Sequence, residues 1–271
     1  MKNQRNNILD IKSRKNRGSV TKEPIVCVAA YTYPIANLID EFCDIILVGD
    51  SLGMTIYGMK NTLGVSVDMM INHGKAVVNA TTKSLITVDM PFASYEASKE
   101  QAFINAARII TETGCQAVKI EMSEGLIDTV KFLSERGIPV MAHIGLTPQH
   151  INELGGFKVQ GKDKISAKNI LDLALESEKA GAFSLVIEGV VEKLANQITK
   201  NLTIPTIGIG ASAECDGQVL VIDDILGVKQ EYSPKFVRNY ADLSKEIKKA
   251  VSNFSTDVKN HKFPTKDHCF Y

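Results

Sequence analysis

Charged and polar side chains capable of acid–base or metal chemistry recur at one kind of place in this chain, directly after a short apolar run. Asp50 and Ser51 follow DIILVG, Asp89 closes SLITVD, Lys119 and Glu121 sit at the end of AVKIE, His143 lies in PVMAHIG, and Glu188 closes AFSLVIE. Taken singly, each has a bland explanation. An aspartate there can cap the next helix or form a turn, Ser51 can be a cap, Lys119 a surface partner of a nearby acid, and His143 a satisfied core histidine. Their joint occurrence at five successive run ends favours a shared site. Three of them, Asp50, Asp89 and Glu121, would repel one another in a poorly solvated site, and a hard divalent cation relieves that repulsion. Mg²⁺ is the natural candidate, because it binds through a few carboxylates and leaves positions for water and substrate oxygens. No His/Cys cluster has zinc spacing.

The elements that must position these groups are eight short, β-branched apolar runs separated by amphipathic stretches. The runs are 25–30, 44–50, 84–91, 117–121, 139–145, 182–189, 204–212 and 218–227. Between them, VDMMINHGKAVVNA, EASKEQAFINAARIITETG, GLIDTVKFLSERG and AKNILDLALESEKAG carry apolar residues at spacings of three and four, and three of the four end at glycine. Near-continuous hydrophobic strands alternating with helices indicate a parallel sheet covered on both faces. Eight of them in 271 residues predict a closed (β/α)₈ TIM barrel as a single domain over residues 1–271, with a short basic helical segment at the N-terminus. In such a barrel the active site lies at the C-terminal strand ends, where the charged groups stand. Residues 228–253 read as a last helix, followed by a polar tail. Gly208 and Gly210 in IGIGAS leave two readings open, a phosphate cradle or close packing near a ligand.

Charge balance excludes some partners. Lys plus Arg and Asp plus Glu each total 31, so no global field exists to hold nucleic acid or an anionic membrane. The five cysteines are scattered without CxxC pairing and mostly lie in apolar runs, as in reduced proteins. The first residues lack the apolar stretch of a signal peptide, and no run approaches 18 apolar residues. A cytoplasmic protein is expected.

The motifs VGDSLGM (48–54), INHGKAVVNA (71–80), DMPFASY (89–95), QAVKIE (116–121), HIGLTPQ (143–149), GGFKVQGK (155–162), IGIGAS (207–212), CDGQVLV (215–221) and PKFVRNY (234–240) resemble the ketopantoate hydroxymethyltransferases, barrels of the phosphoenolpyruvate/pyruvate superfamily. The resemblance runs over nearly the whole chain. It implies that Asp50, Asp89 and Glu121 hold Mg²⁺, Glu121 directly or through water; that Asp50, Ser51, Asp89 and Lys119 contact a keto acid; and that Glu188 is the general base. It further implies 5,10-methylenetetrahydrofolate as co-substrate, 3-methyl-2-oxobutanoate as acceptor, a place in pantothenate and coenzyme A synthesis, and a homo-oligomer, decameric in many members. Thr32, Gly64, Met122, Val191 and Asp223 depart from the usual family pattern, and none of them is among those site residues.

The chemistry expected of such a site is deprotonation at C3 of the keto acid, with a cation and Lys119 stabilising the developing enolate, Glu188 taking the proton, and His143 as a proton donor or polar wall. Two alternatives compete. One is a superfamily lyase or mutase using the same enolate chemistry; the other is a non-catalytic barrel, which loss of the acids would favour.

Overall fold

The computed structural model describes residues 5–15, 23–228 and 234–271. Its centre is a closed barrel of eight parallel strands in sequential order, β1 (Ile25–Ala29), β2 (Ile45–Val48), β3 (Leu85–Asp89), β4 (Ala117–Glu121), β5 (Val140–Gly145), β6 (Ser184–Glu188), β7 (Thr206–Ile209) and β8 (Gly217–Val221). The TIM barrel expected from eight apolar runs is therefore the observed fold. Ile45, Ile46, Leu85, Ile86, Val118, Ile120, Val140, Leu185 and Ile187 are fully buried, which explains why these strands show no polar alternation: both faces are covered.

The helices, in chain order, are α1 (Ile8–Lys12), α2 (Tyr33–Ile39), α3 (Leu52–Thr55), α4 (Val67–Ala80), α5 (Lys99–Thr113), α6 (Ile127–Ser134), α7 (Ile151–Leu154), α8 (Lys164–Lys179), α9 (Glu192–Asn201), α10 (Ile222–Leu226) and α11 (Leu243–Lys259). Local chemistry sets their ends. The Ser66 side chain accepts the Met69 N–H, Ser98 accepts that of Gln101, and Asp163 accepts those of Ile165 and Ser166, so orphan donors of the first turns are satisfied. Gly114 ends α5 with φ +78°, a conformation that costs glycine nothing.

Among its described residues the N-terminal segment forms the five-residue α1, held by a reciprocal capping box between Asn7 and Asp10. Just beyond it, Lys15 is buried and reaches Asp216 Oδ2 at 2.9 Å and the Thr199 carbonyl at 2.6 Å. Asp40 is a second fixed point: its carboxylate accepts the backbone N–H groups of Thr82 (2.6 Å), Lys83 (3.0 Å) and Ser84 (2.8 Å). It thereby ties the end of α2 to the entry of β3.

Residues 1–220 form one compact unit and residues 221–271 another. The second unit departs from the sequence expectation twice. The run 218–227 is not all strand: after Val221 it turns helical as α10, with Asp223 and Asp224 in the first turn and Gly227 closing it at φ +64°. The last helix is not 228–253 but α11, beginning after Asp242, where the Ser244 hydroxyl donates to the Asp242 carboxylate at 2.9 Å. The first part of the expected helix, 229–233, lies outside the described residues, and Pro234, next in the chain, lacks the N–H a helix interior needs.

Candidate active site

The strand register dictates which side chains meet. Asp89 pairs across the sheet with Lys119, Glu121 with His143, and Gly145 with Glu188. In a parallel sheet, paired residues point to the same side, so the acids and bases collect at one end of the barrel. Asp50 enters from the turn after β2, directly after Gly49. A Cβ at Gly49 would lie 2.9 Å from Ser51 Oγ and 3.5 Å from Asp89 Oδ2, so a side chain there would displace the Ser51 hydroxyl from its place.

Contacts then run without a break through the site. The Asp50 N–H donates to Asp89 Oδ2 at 3.0 Å. Asp89 Oδ1 stands 3.1 Å from Lys119 Nζ as an ion pair, but without the alignment of a hydrogen bond. Lys119 Nζ is 3.4 Å from His143 Nδ1, and His143 Nε2 faces Glu188 Oε2 at 3.1 Å, again unaligned. Glu121 Oε1 lies 3.7 Å from His143 Nδ1, and its Oε2 accepts the Gln149 N–H at 3.0 Å with His150 Nδ1 at 3.6 Å. Ser51 Oγ meets the Tyr31 hydroxyl at 2.7 Å. Six of the seven residues singled out from the sequence are thus joined by contacts, and Ser51 stands next to Asp50 in the chain.

Burial makes the cluster electrostatically tense. Asp50, Asp89, Lys119, Glu121 and His143 are each at most 5% exposed. Burial, reinforced by Asp89 and Glu121, pushes the Asp50 carboxyl well above the usual carboxylate range. Burial also raises Asp89, against the pull of Lys119. For Lys119, burial alone would lower the pKa, but Asp89, Glu121 and Asp50 outweigh it and hold the amine above the ordinary lysine range. His150 is raised chiefly by its contact with Glu121.

Three buried carboxylates against one amine, all with hard oxygen donors and with Asp89 Oδ1 lacking a hydrogen bond, fit a hard divalent cation. Among the described residues no three His, Cys, Asp or Glu side chains form a metal-holding group by themselves. A cleft of about 300 Å³ opens between Met122, Thr147, His150 and Leu173, of which His150 Nδ1 lies 3.6 Å from Glu121 Oε2.

A family model for ketopantoate hydroxymethyltransferase matches residues 5–266. The chain belongs to the ketopantoate hydroxymethyltransferase family. Relatives named 3-methyl-2-oxobutanoate hydroxymethyltransferase include one from Paramagnetospirillum magneticum, 54% identical over 96% of this chain and 93% of its own. Another, from a Chelativorans species, is 54% identical over 92% of this chain and 88% of its own. Among solved structures, phosphoenolpyruvate phosphomutase from Streptomyces platensis superposes with TM-score 0.61 at 12% identity, covering 98% of this chain and 92% of its own. The 2,3-dimethylmalate lyase, a PEP mutase/isocitrate lyase superfamily member, gives TM-score 0.57 at 10% identity, covering 91% and 87%. At such identities these two share the barrel fold with the hydroxymethyltransferase family.

Several participants escape a reading of strand ends. Gln149, Tyr95, Tyr31 and His150 all touch the cluster. Gln149 and Tyr95 close the motifs HIGLTPQ and DMPFASY, and that place in the family motifs was their one visible signal. Gly208 is read more simply: a Cβ there would be 3.0 Å from Cys215 Sγ and 3.1 Å from Gln218 Oε1, which favours close packing over a phosphate cradle. Among the described residues no helix is long and apolar enough to cross a membrane.

Proposed function

We propose that this chain transfers a hydroxymethyl group from 5,10-methylenetetrahydrofolate to 3-methyl-2-oxobutanoate, giving ketopantoate for pantothenate and coenzyme A synthesis. The observation that carries the reading is the family match over residues 5–266 together with the unbroken line of contacts from Asp50 through Asp89, Lys119 and His143 to Glu188. Asp50 and Asp89 would hold Mg²⁺, with Glu121 acting directly or through water. When bound, the cation supplies Lewis-acid polarisation of the keto acid's oxygens.

The remaining work falls to the side chains. Ser51, with its hydroxyl fixed by Tyr31, and Asp50 and Asp89 orient the keto acid. Lys119, kept protonated by its three carboxylate neighbours, places positive charge where the C2 oxygen becomes anionic. Glu188, at 18% side-chain exposure less buried than His143 beside it, removes the C3 proton, and His143, whose Nε2 stands 3.1 Å away, serves as a proton donor or polar wall. Water adds to the methylene carbon carried by the folate and the C–N bond breaks, freeing tetrahydrofolate and a formaldehyde equivalent. The carbanion equivalent at C3 then attacks that carbon, whose oxygen takes up a proton and becomes the hydroxyl of the hydroxymethyl group. The enzyme is expected to work in the cytoplasm as a homo-oligomer. A coupled assay for ketopantoate, with and without methylenetetrahydrofolate and with and without chelator, tests the reading. Product should require both the folate and a divalent cation, and product formed in excess chelator would remove the metal from it.

A further inference from the structure

Gln149 is the residue that binds the site's carboxylates to one another. It lies in the tight turn Pro148–His150 just after β5 and is 3% exposed. Its backbone N–H donates to Glu121 Oε2 at 3.0 Å, and its side-chain Nε2 donates to Asp50 Oδ2 at 2.8 Å and to the Met90 carbonyl at 3.0 Å. Its Oε1 accepts the hydroxyl of Tyr95, fully buried, at 2.5 Å. One residue of the β5 turn therefore reaches the ends of β2, β3 and β4 together.

The chemistry of the partners fixes which way the amide faces. A backbone carbonyl only accepts hydrogen bonds, so the amide nitrogen must face Met90, which turns its other N–H to Asp50 Oδ2 and leaves the oxygen for the Tyr95 hydroxyl to donate to. Both N–H bonds and the oxygen are used. Asp50 Oδ2 and Glu121 Oε2 are thereby committed to protein donors, as Asp89 Oδ2 is committed to the Asp50 N–H. Each of the three carboxylates gives one oxygen to the scaffold and keeps its other outside these bonds.

We propose that Gln149, backed by Tyr95, is a positioning residue for the divalent cation: it fixes Asp50 and Glu121 so that their remaining oxygens face the cation site. The inference rests on the metal reading above. Outer partners that orient ligating carboxylates typically account for roughly 10–100-fold in metal affinity.

The test is Mn²⁺ binding to the purified full-length protein, read as free Mn²⁺ by electron paramagnetic resonance, with melting temperatures recorded in parallel. Gln149→Met keeps the length and apolar volume, and its backbone N–H can still serve Glu121. It should bind Mn²⁺ about 10–100-fold more weakly than the unsubstituted protein. Tyr95→Phe should weaken binding less, and the double variant should be no weaker than Gln149→Met alone, because Tyr95 acts through Gln149. Unchanged Mn²⁺ affinity in Gln149→Met, even with a lowered melting temperature, would overturn the proposal and leave the amide a structural bridge. An additive loss in the double variant would remove Tyr95 from it. If the unsubstituted protein binds no Mn²⁺, the metal reading itself fails, and the positioning role fails with it.

Discussion

Lys119→Met replaces the single amine among three buried carboxylates with a side chain of similar length. From sequence alone, a lysine at a strand end facing the site looks removable without harm to the fold. The structure changes that expectation, because Lys119 is 5% exposed and its Nζ is 3.1 Å from Asp89 Oδ1. At an effective dielectric constant near 20, one ion pair at that distance is worth about 5 kcal/mol before desolvation is counted. Removing the lysine recovers its own desolvation but leaves the carboxylates uncompensated, and breaking a buried pair from one side typically costs about 3–5 kcal/mol. For a chain of this size, roughly 2–4 °C per kcal/mol converts that to a fall on the order of 10 °C in melting temperature. Thermal unfolding in chelator should show it, and added Mg²⁺ should restore part of the loss by supplying the missing positive charge. Turnover should fall by about 10²–10³-fold even where the protein is folded, the scale of losing one group that stabilises a developing anion. A variant melting within about 2 °C of the parent in chelator, at a size scale where 1 kcal/mol moves the midpoint by more, would refute the electrostatic account of this cluster.

Other expectations follow from the scaffold. For Asp40, burial alone would raise the pKa, but the N–H groups of Thr82, Ser84 and Lys83 hold the carboxyl below its usual range. A depressed folded-state pKa contributes stability that is present above the unfolded value near 3.9 and is lost as pH falls through the folded value. In urea titrations Asp40→Asn should therefore be less stable than the parent at pH 6, and the gap should narrow below pH 4; a constant gap would point to packing instead. Gly145→Ala combines φ +95° with a Cβ only 2.3 Å from the Glu188 carbonyl. It should destabilise the protein by more than about 2 kcal/mol and impair turnover, and a parent-like urea midpoint with parent-like turnover would contradict that close approach.

The barrel was legible because its strands are buried on both faces and so read as plain apolar runs, and because glycines such as Gly114 mark helix ends. The same rule misled at 218–227, where VIDDIL is apolar enough to prolong a strand, while the acidic pair Asp223 and Asp224 starts a helix. The charged site residues were legible for a related reason: a carboxylate or amine directly after a buried run is conspicuous. Gln149 and Tyr95 were not. A neutral amide in a turn and a tyrosine in a loop are ordinary in sequence, and their importance arises only when β3 and β5 bring residues 54 positions apart to 2.5 Å.

The central claim is that Glu188 removes the C3 proton of the keto acid in a cation-dependent site. Exchange of that hydrogen with solvent D₂O, followed by proton NMR on 3-methyl-2-oxobutanoate with Mg²⁺ and no folate, isolates the proton abstraction from carbon–carbon bond formation. The parent enzyme should exchange it, and Glu188→Gln, which keeps the shape of the side chain and removes its basicity, should bind the keto acid and Mg²⁺ yet exchange at the uncatalysed rate. Exchange by Glu188→Gln at the parent rate would contradict the assignment and pass the role of base to His143 or to a hydroxide held by the cation.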